Sequence, residues 1–151
     1  MTLSQDEIFM REALAEAKAA FALGEVPVGA VVVREGKIIA RGHNRREIDR
    51  LATAHAELLA MEAACRAIGS WRLSDCTLYV TLEPCPMCTG AAINARVGRI
   101  VYGAKNPRAG ACESLIRLPK YPLEASPACH GGFLREECLE ILHSFFAEKR
   151  K

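Results

Sequence analysis

The chain has 151 residues, of which 50% are apolar and 25% charged, and this ordinary globular balance predicts a single domain over residues 1–151. A formal net charge of +2 excludes a protein that binds nucleic acid through an overall basic surface, so any such contact would need a local patch. No apolar stretch approaches the ~20 residues that span a bilayer, and seven cysteines without a secretory signal pattern predict a location in the reducing cytoplasm.

The first half of the chain predicts a helix, a hairpin and a second helix. Ser4 and Glu7 match a capping box before apolar residues at helical spacing, and Gly24 is a natural stop. Residues 26–33 are β-branched and lead through a turn at 34–37 to a return strand over 38–42. Apolar positions over 54–68 then predict a helix that ends at Gly69.

The second half alternates strands with helices. Residues 77–82 predict a short apolar strand, Pro84 breaks it, and Pro86 starts a helix that reaches about residue 95. Residues 99–103 predict another strand. Residues 104–132 are loop-rich with room for short helical turns, and 134–149 predict an amphipathic helix. This alternation predicts an α/β domain in which helices cover a sheet.

Two short motifs contain residues that can bind a metal ion. His55 lies at the start of one predicted helix, and Cys85 and Cys88 lie at the start of the next. Thiolate and imidazole groups are ordinary zinc ligands, and a helix start lowers the pKa of a thiol. A purely structural zinc usually has four protein ligands, whereas three leave one position for water. The pattern therefore predicts a hydrolytic zinc site.

Glu57 adds a carboxylate to the pattern. Its i, i+2 spacing from His55 places it on another side of the helix, so we expect it not to bind the metal. There it can take a proton from water and pass it on, which is what hydrolysis of an aromatic amidine requires. One alternative is a core histidine with a redox pair of cysteines. The other is a structural zinc completed by a fourth ligand from the set His43, Cys112, Cys129 and His130.

The order H-x-E followed by P-C-x-x-C is the known signature of zinc-dependent nucleobase deaminases. The surrounding sequence resembles bacterial tRNA-specific adenosine deaminases over about residues 25–111. It does so most clearly at residues 24–30, 42–45, 54–57, 71–73 and 77–85. The resemblance implies conversion of adenosine to inosine at the wobble position of a tRNA anticodon loop. It also implies a homodimer and a cytidine deaminase-like three-layer αβα sandwich with a central mixed five-stranded sheet.

The resemblance also implies roles for individual residues. One zinc ion would be bound by His55, Cys85 and Cys88. The proton shuttle would be Glu57. In the contact with the tRNA anticodon stem-loop, Asn44 would bind the target base, and Val28 and Leu82 would form the walls of its pocket. Asn106 and Arg108 would lie on a loop along the RNA backbone. The C-terminal pair Lys149 and Arg150 would extend the basic patch. On the pattern alone, Asn44 is typical of a turn, and Val28 and Leu82 are typical of a core.

Two departures from the family pattern fall in loops expected to face the substrate. The family usually has aspartate where this chain has Asn106, and residues 121–130 lack its Asn-His pair. Because an amide is uncharged and can donate as well as accept hydrogen bonds, Asn106 predicts weaker discrimination between ribose and deoxyribose. The alternative functions are a deaminase of a free nucleobase or nucleoside, such as guanine or cytosine/cytidine, and a non-catalytic zinc-stabilised RNA-binding module.

Overall fold

A computed structural model describes residues 2–123 and 125–149 of the chain. Its helices are α1 (Thr2–Ala22), α2 (Arg46–Asp49), α3 (Ala56–Ile68), α4 (Pro86–Asn94) and α5 (Arg135–Lys149). Its strands are β1 (Gly29–Arg34), β2 (Lys37–His43), β3 (Cys76–Leu82), β4 (Arg99–Ala104) and β5 (Ala128–His130). None of the helices in the described part is both long and apolar enough to cross a membrane.

The five strands form one mixed sheet in the order β2-β1-β3-β4-β5. Strand β1 pairs antiparallel with both β2 and β3, whereas β4 runs parallel to β3 and β5. Alternate side chains of each strand point to opposite faces of a sheet. Val32, Leu78 and Ile100 accordingly lie in a buried cluster with α3 and α4, while Val31 and Val101 pack with α1 and α5. The predicted three-layer αβα sandwich is confirmed.

Helix α3 lies directly against β2. A Cβ atom added to Gly42 of β2 would lie 2.6 Å from the carbonyl oxygen of Ala56 and 2.8 Å from the backbone nitrogen of Ala60. Such distances are far inside van der Waals contact, so only glycine allows this approach. The contact fixes the first turn of α3, which contains Glu57 and follows His55, against the end of the hairpin.

The structure corrects the starts of two predicted elements and adds several short ones. Helix α1 begins at Thr2, before the predicted cap Ser4, whose side chain lies outside the described residues. Strand β1 begins at Gly29 instead of residue 26, because β1 is central and Pro27 has no N–H to donate to a neighbouring strand. A 3₁₀ turn at Leu118–Lys120 lies in the loop-rich segment 104–132, where short helical turns are expected. The short elements α2 and β5 lie where no regular pattern predicts them.

Candidate metal centre and active site

Two helix starts bring the metal-binding residues together. His55 is the N-cap residue of α3 and Cys85 is the N-cap residue of α4, and both have extended backbone conformations. Pro86 occupies the first position of α4, where the missing N–H causes no loss of a hydrogen bond. Cys88 follows in the first turn and is fully buried. The positions of all three side chains are therefore set by where α3 and α4 begin.

The spacing of these three side chains fits a tetrahedral zinc ion. His55 Nδ1 lies 3.7 Å from Cys85 Sγ and 3.5 Å from Cys88 Sγ. Zinc–sulfur bonds of ~2.3 Å and zinc–nitrogen bonds of ~2.0–2.1 Å at tetrahedral angles require a nitrogen–sulfur distance of about 3.6 Å. All three ligand atoms lie within 4.8 Å of one another. Within residues 2–123 and 125–149, this metal-binding group does not include His43, Cys112, Cys129 or His130, the candidates for a fourth ligand.

The electrostatics of the group suit a cation. A hydrogen bond from Cys88 lowers the pKa of Cys85 to about 4, and His55 adds to this effect. The same bond, together with burial, raises the pKa of Cys88. The hydrogen bond to Cys85 also raises the pKa of His55. Cys85 is thus a thiolate at neutral pH, and the thiolate is the form of cysteine that binds metals.

Glu57 is a buried carboxyl beside this group. It lies in the first turn of α3 and is only 4% exposed. Burial raises the pKa of Glu57 to about 7. A carboxyl group with a pKa near the working pH can both accept and donate a proton, as general acid–base catalysis requires.

A pocket of about 140 Å³ opens over the metal-binding group. Among its lining residues are most of the predicted site residues, namely Val28, Asn44, His55, Glu57, Leu82, Cys85 and Asn106. Of the remaining predicted residues, Cys88 is buried behind the pocket, and Arg108 is exposed on the loop that follows Asn106. Lys149 is exposed at the end of α5, and Arg150 lies outside the described residues.

Asn44 contributes both to the turn after β2 and to the pocket. Its Nδ2 donates to the carbonyl oxygen of Val26 at 3.3 Å, and its Oδ1 accepts the backbone N–H of Arg46 at 3.1 Å. A side-chain amide has a second N–H and a second oxygen lone pair. The turn is therefore formed as the residue type suggests, and Asn44 retains the capacity to bind the edge of a base.

Asn106 organises the loop on the other side of the pocket. Its Oδ1 accepts the backbone N–H groups of Arg108 at 3.3 Å and Ala109 at 3.2 Å. These bonds leave the amide nitrogen as the polar atom that distinguishes Asn106 from aspartate. The residue thus combines a turn-forming role with a position in the wall of the pocket.

Three residues of the pocket region were not predicted from the sequence as part of the site. Arg46 and Glu83 line the pocket, and the buried Glu25 directly precedes Val26, which also lines it. Glu25 accepts the N–H groups of Glu47 at 3.1 Å and Ile48 at 2.7 Å, and so holds α2 in place. The available signal was a carboxylate next to apolar residues expected to be buried: Glu83 directly follows an apolar strand. Arg46 had no distinguishing signal.

Comparisons with known proteins agree with this geometry. Residues 4–149 match the family model of MafB19-like deaminases. The tRNA-specific adenosine deaminase of Bacillus subtilis is 49% identical over an aligned length of 152 positions, which covers 99% of this chain and 93% of the relative. The chloroplastic tRNA(adenine(34)) deaminase of Arabidopsis thaliana is 49% identical over 93% of this chain, which matches 12% of that longer protein.

Solved structures give the same result. A structure from a study of A-to-I editing by tRNA:A34 deaminases superposes with a TM-score of 0.86 at 45% identity, covering 89% of this chain and 98% of that one. A guanine deaminase from Nitrosomonas europaea superposes with a TM-score of 0.78 at 28% identity, covering 93% and 84% respectively. The chain therefore belongs to the MafB19-like deaminases and, within them, to the family of tRNA-specific adenosine deaminases.

Proposed function

We propose that this protein deaminates adenosine to inosine at the wobble position of a tRNA anticodon loop, as a zinc-dependent hydrolase of one domain. One observation carries the proposal: a His-Cys-Cys group with the spacing of tetrahedral zinc ligands lies beside the buried carboxyl of Glu57 in one pocket. Relatives that are 41–49% identical over nearly the whole chain and are named tRNA-specific adenosine deaminases support the choice of substrate.

One zinc ion per chain would be held by His55 Nδ1 and the sulfur atoms of Cys85 and Cys88. When bound in such a site, zinc lowers the pKa of a water molecule towards ~7 and so supplies a nucleophile at neutral pH. The donor set suits zinc because two thiolates balance the charge of the ion and the imidazole completes a nitrogen–sulfur set.

Glu57 moves the protons. As a carboxylate it takes a proton from the attacking water, and as a carboxylic acid it delivers that proton to ring nitrogen N1 of adenine. The oxygen of the water bonds to C6, and Glu57 transfers the second water proton from that hydroxyl group to the amine nitrogen, so that the C6–N bond breaks and ammonia leaves. A pKa of about 7 suits this cycle because both forms of the side chain are populated at neutral pH.

The size of the pocket favours a single base as the group that enters it. At about 140 Å³, the pocket is smaller than the ~300–1,000 Å³ sites that enclose whole drug-sized ligands. A base can enter between Val28 and Leu82, while its ribose and phosphates remain outside. An unpaired anticodon base can adopt this geometry at low cost, because it need not be extracted from a duplex. Arg46 and Arg108 are exposed near the pocket and can meet phosphates there.

A second candidate is a deaminase of free guanine, which the structural similarity to the guanine deaminase from Nitrosomonas europaea favours. The two functions share the zinc and acid–base chemistry and differ in the substrate presented to the pocket. The deciding experiment incubates the protein with an anticodon stem-loop bearing a wobble adenosine, and separately with guanine, cytosine and cytidine. Inosine in the stem-loop, detected by mass, with no turnover of the small molecules supports the tRNA reaction. Turnover of a small molecule alone contradicts it.

We also propose that the protein works in the cytoplasm as a homodimer formed through the outer face of α3 and α4. A groove of about 480 Å³ on that face has an apolar lining that includes Leu58, Met61, Trp71, Ala91 and Ala95. Trp71 is 54% exposed and lies in this groove with the other apolar residues, and contiguous exposed apolar patches mark protein–protein interfaces. Sedimentation should give twice the chain mass, and Ala91→Glu should give the monomer. Leu23→Glu, at an exposed apolar position after α1, is the matched control. A monomeric parent chain would contradict this arrangement.

A further inference from the structure

Glu83 is a buried carboxylate to which the chemistry above assigns no task. It is 1% exposed and lies between Leu82, a wall of the pocket, and Pro84, which precedes Cys85. Burying a charge is unfavourable unless hydrogen bonds replace the water that is lost. The hydrogen-bond partners of Glu83 therefore identify what the carboxylate does.

Within the described residues, the hydrogen bonds to the side chain of Glu83 come from one loop. Oε1 accepts the backbone N–H of Asn106 at 3.1 Å and the hydroxyl of Ser114. Oε2 accepts the backbone N–H groups of Cys112 at 3.1 Å, Glu113 at 2.8 Å and Ser114 at 2.9 Å. Five donors thus converge on two oxygens, and both ends of the segment 106–114 are attached to the same carboxylate.

Gly110 shows independently how closely this segment encloses the carboxylate. A Cβ atom at Gly110 would lie 2.4 Å from Cδ of Glu83 and 2.5 Å from Oε1. The segment therefore needs glycine at this position to wrap around the carboxylate. Next to it, the backbone N–H of Ala111 donates to the carbonyl oxygen of Pro84 at 2.8 Å, which joins the segment to the residue before Cys85.

The same segment contains one residue that lines the pocket and another that is exposed beside it. Asn106 lines the pocket, and Arg108 is exposed two residues later. Asn106 is attached to Glu83 through its own backbone N–H, and its side chain in turn fixes the N–H of Arg108. The position of both residues relative to the metal-binding group thus depends on the carboxylate of Glu83.

We propose that Glu83 is a positioning residue whose carboxylate holds segment 106–114 so that Asn106 and Arg108 meet the RNA. This inference rests on the proposed tRNA deamination, and it assigns Glu83 to substrate binding instead of metal binding or proton transfer. Loss of the carboxylate should therefore weaken binding of the stem-loop more than it slows the chemical step.

The test measures kcat, KM, zinc content and stem-loop affinity for Glu83→Gln, in which an NH₂ group replaces one acceptor oxygen and faces backbone donors. We expect KM and Kd to rise about tenfold, with kcat reduced by less than about threefold and one zinc per chain retained. The slope of log Kd against log salt should fall by roughly 0.7 for each lost phosphate contact. Ser114→Ala removes one donor and should change KM in the same direction by about threefold. Glu136→Gln, on the first turn of α5, is the control.

The outcomes separate the inference from the function on which it rests. A parent protein that neither binds nor deaminates the stem-loop overturns the proposed function, and the inference with it. An active parent with unchanged KM and salt slope in Glu83→Gln overturns the inference alone. Loss of zinc, or of kcat at unchanged KM, also overturns it, because Glu83 would then support the metal centre. If Glu83→Gln does not fold, Ser114→Ala decides, and parental KM and salt slope in that variant overturn the inference.

Discussion

Asn106 combines a structural role in its loop with a position in the wall of the pocket. Its Oδ1 is held by the N–H groups of Arg108 and Ala109, and an aspartate could accept the same two bonds. The difference between the two residues lies in the remaining atom of the side chain. In asparagine this atom is an uncharged donor, whereas in aspartate it is a charged acceptor.

We therefore expect Asn106→Asp to increase the preference for RNA over DNA. A carboxylate can accept a hydrogen bond from the ribose 2′-OH, whereas deoxyribose has no such group to offset the repulsion between the carboxylate and phosphate. Deamination rates of matched RNA and DNA hairpins give the ratio directly. Unchanged thermal unfolding would verify that the turn is kept, and an unchanged rate ratio would show that residue 106 does not read the sugar.

Among the secondary-structure elements, the contact between β2 and α3 matters most for the site. Gly42→Ala would place a methyl group against the backbone of Ala56 and Ala60, so α3 must move away from the sheet. Such overpacking typically costs about 1–3 kcal/mol of unfolding free energy. Because the first turn of α3 carries Glu57 and follows His55, we also expect weaker zinc binding, measured by competition with a chelator.

A second glycine provides the control for this experiment. A Cβ atom at Gly90, inside α4, meets no other atom within 4 Å. Gly90→Ala should therefore stabilise the protein by about 0.5–1 kcal/mol through the helical preference of alanine. Equal zinc affinity in Gly42→Ala and the parent would show that the close approach of α3 does not shape the metal centre.

The length of a helix or strand determines how well sequence alone predicts it. Long periodic segments such as α1, α3 and α5 were predicted because their apolar spacing repeats over several turns. The short elements α2 and β5 span four and three residues, too few for a period to be visible. Helix α2 also depends on Glu25, more than twenty residues earlier in the chain, and no local pattern reports such a bond.

The residues of the site also differ in how far sequence alone predicts their roles. His55, Cys85 and Cys88 were predicted as a group because their residue types and short spacings already indicate metal binding. The carboxylate of Glu83 could not be assigned from its neighbours, because its partners lie 23–31 residues further along the chain. Contacts of this kind arise only when the sheet has brought the two segments together.

Across the whole molecule, a buried polar group joins the first helix to the sheet. Asp6 of α1 accepts hydrogen bonds from Arg99 of β4 at 2.7 and 3.0 Å and from the hydroxyl of Tyr79 of β3 at 2.6 Å. Burial alone would raise the pKa of Asp6, but the bonds from Arg99 and Tyr79 outweigh it and lower the pKa below its ordinary value of 3.8. The ionised form of Asp6 therefore stabilises the folded protein.

This arrangement predicts a pH-dependent stability difference for Asp6→Asn. The stabilisation is present above the unfolded-state pKa of about 3.8 and is lost as pH falls through the lower folded-state pKa. We expect Asp6→Asn to reduce the unfolding free energy by about 2–3 kcal/mol at pH 7, with the difference shrinking below about pH 4. Urea titrations over this range measure it.

Asp75→Asn is the matched control, because the ion pair of Asp75 with Arg34 is exposed and solvent screening leaves it little effect on stability. A penalty for Asp6→Asn that stays constant from pH 7 to pH 2 would show that the charge of Asp6 is not what joins α1 to the sheet.

Glu57→Gln tests most directly the central claim that three residues bind zinc while the buried carboxyl of Glu57 transfers protons. This substitution keeps the size of the side chain and removes its ability to carry a proton. We expect one zinc per chain by elemental analysis, with inosine formation in the anticodon stem-loop reduced by at least about 10²–10⁴-fold. Loss of zinc together with activity would make Glu57 a metal ligand, and retention of activity would show that the proton is carried elsewhere; either result would contradict the account.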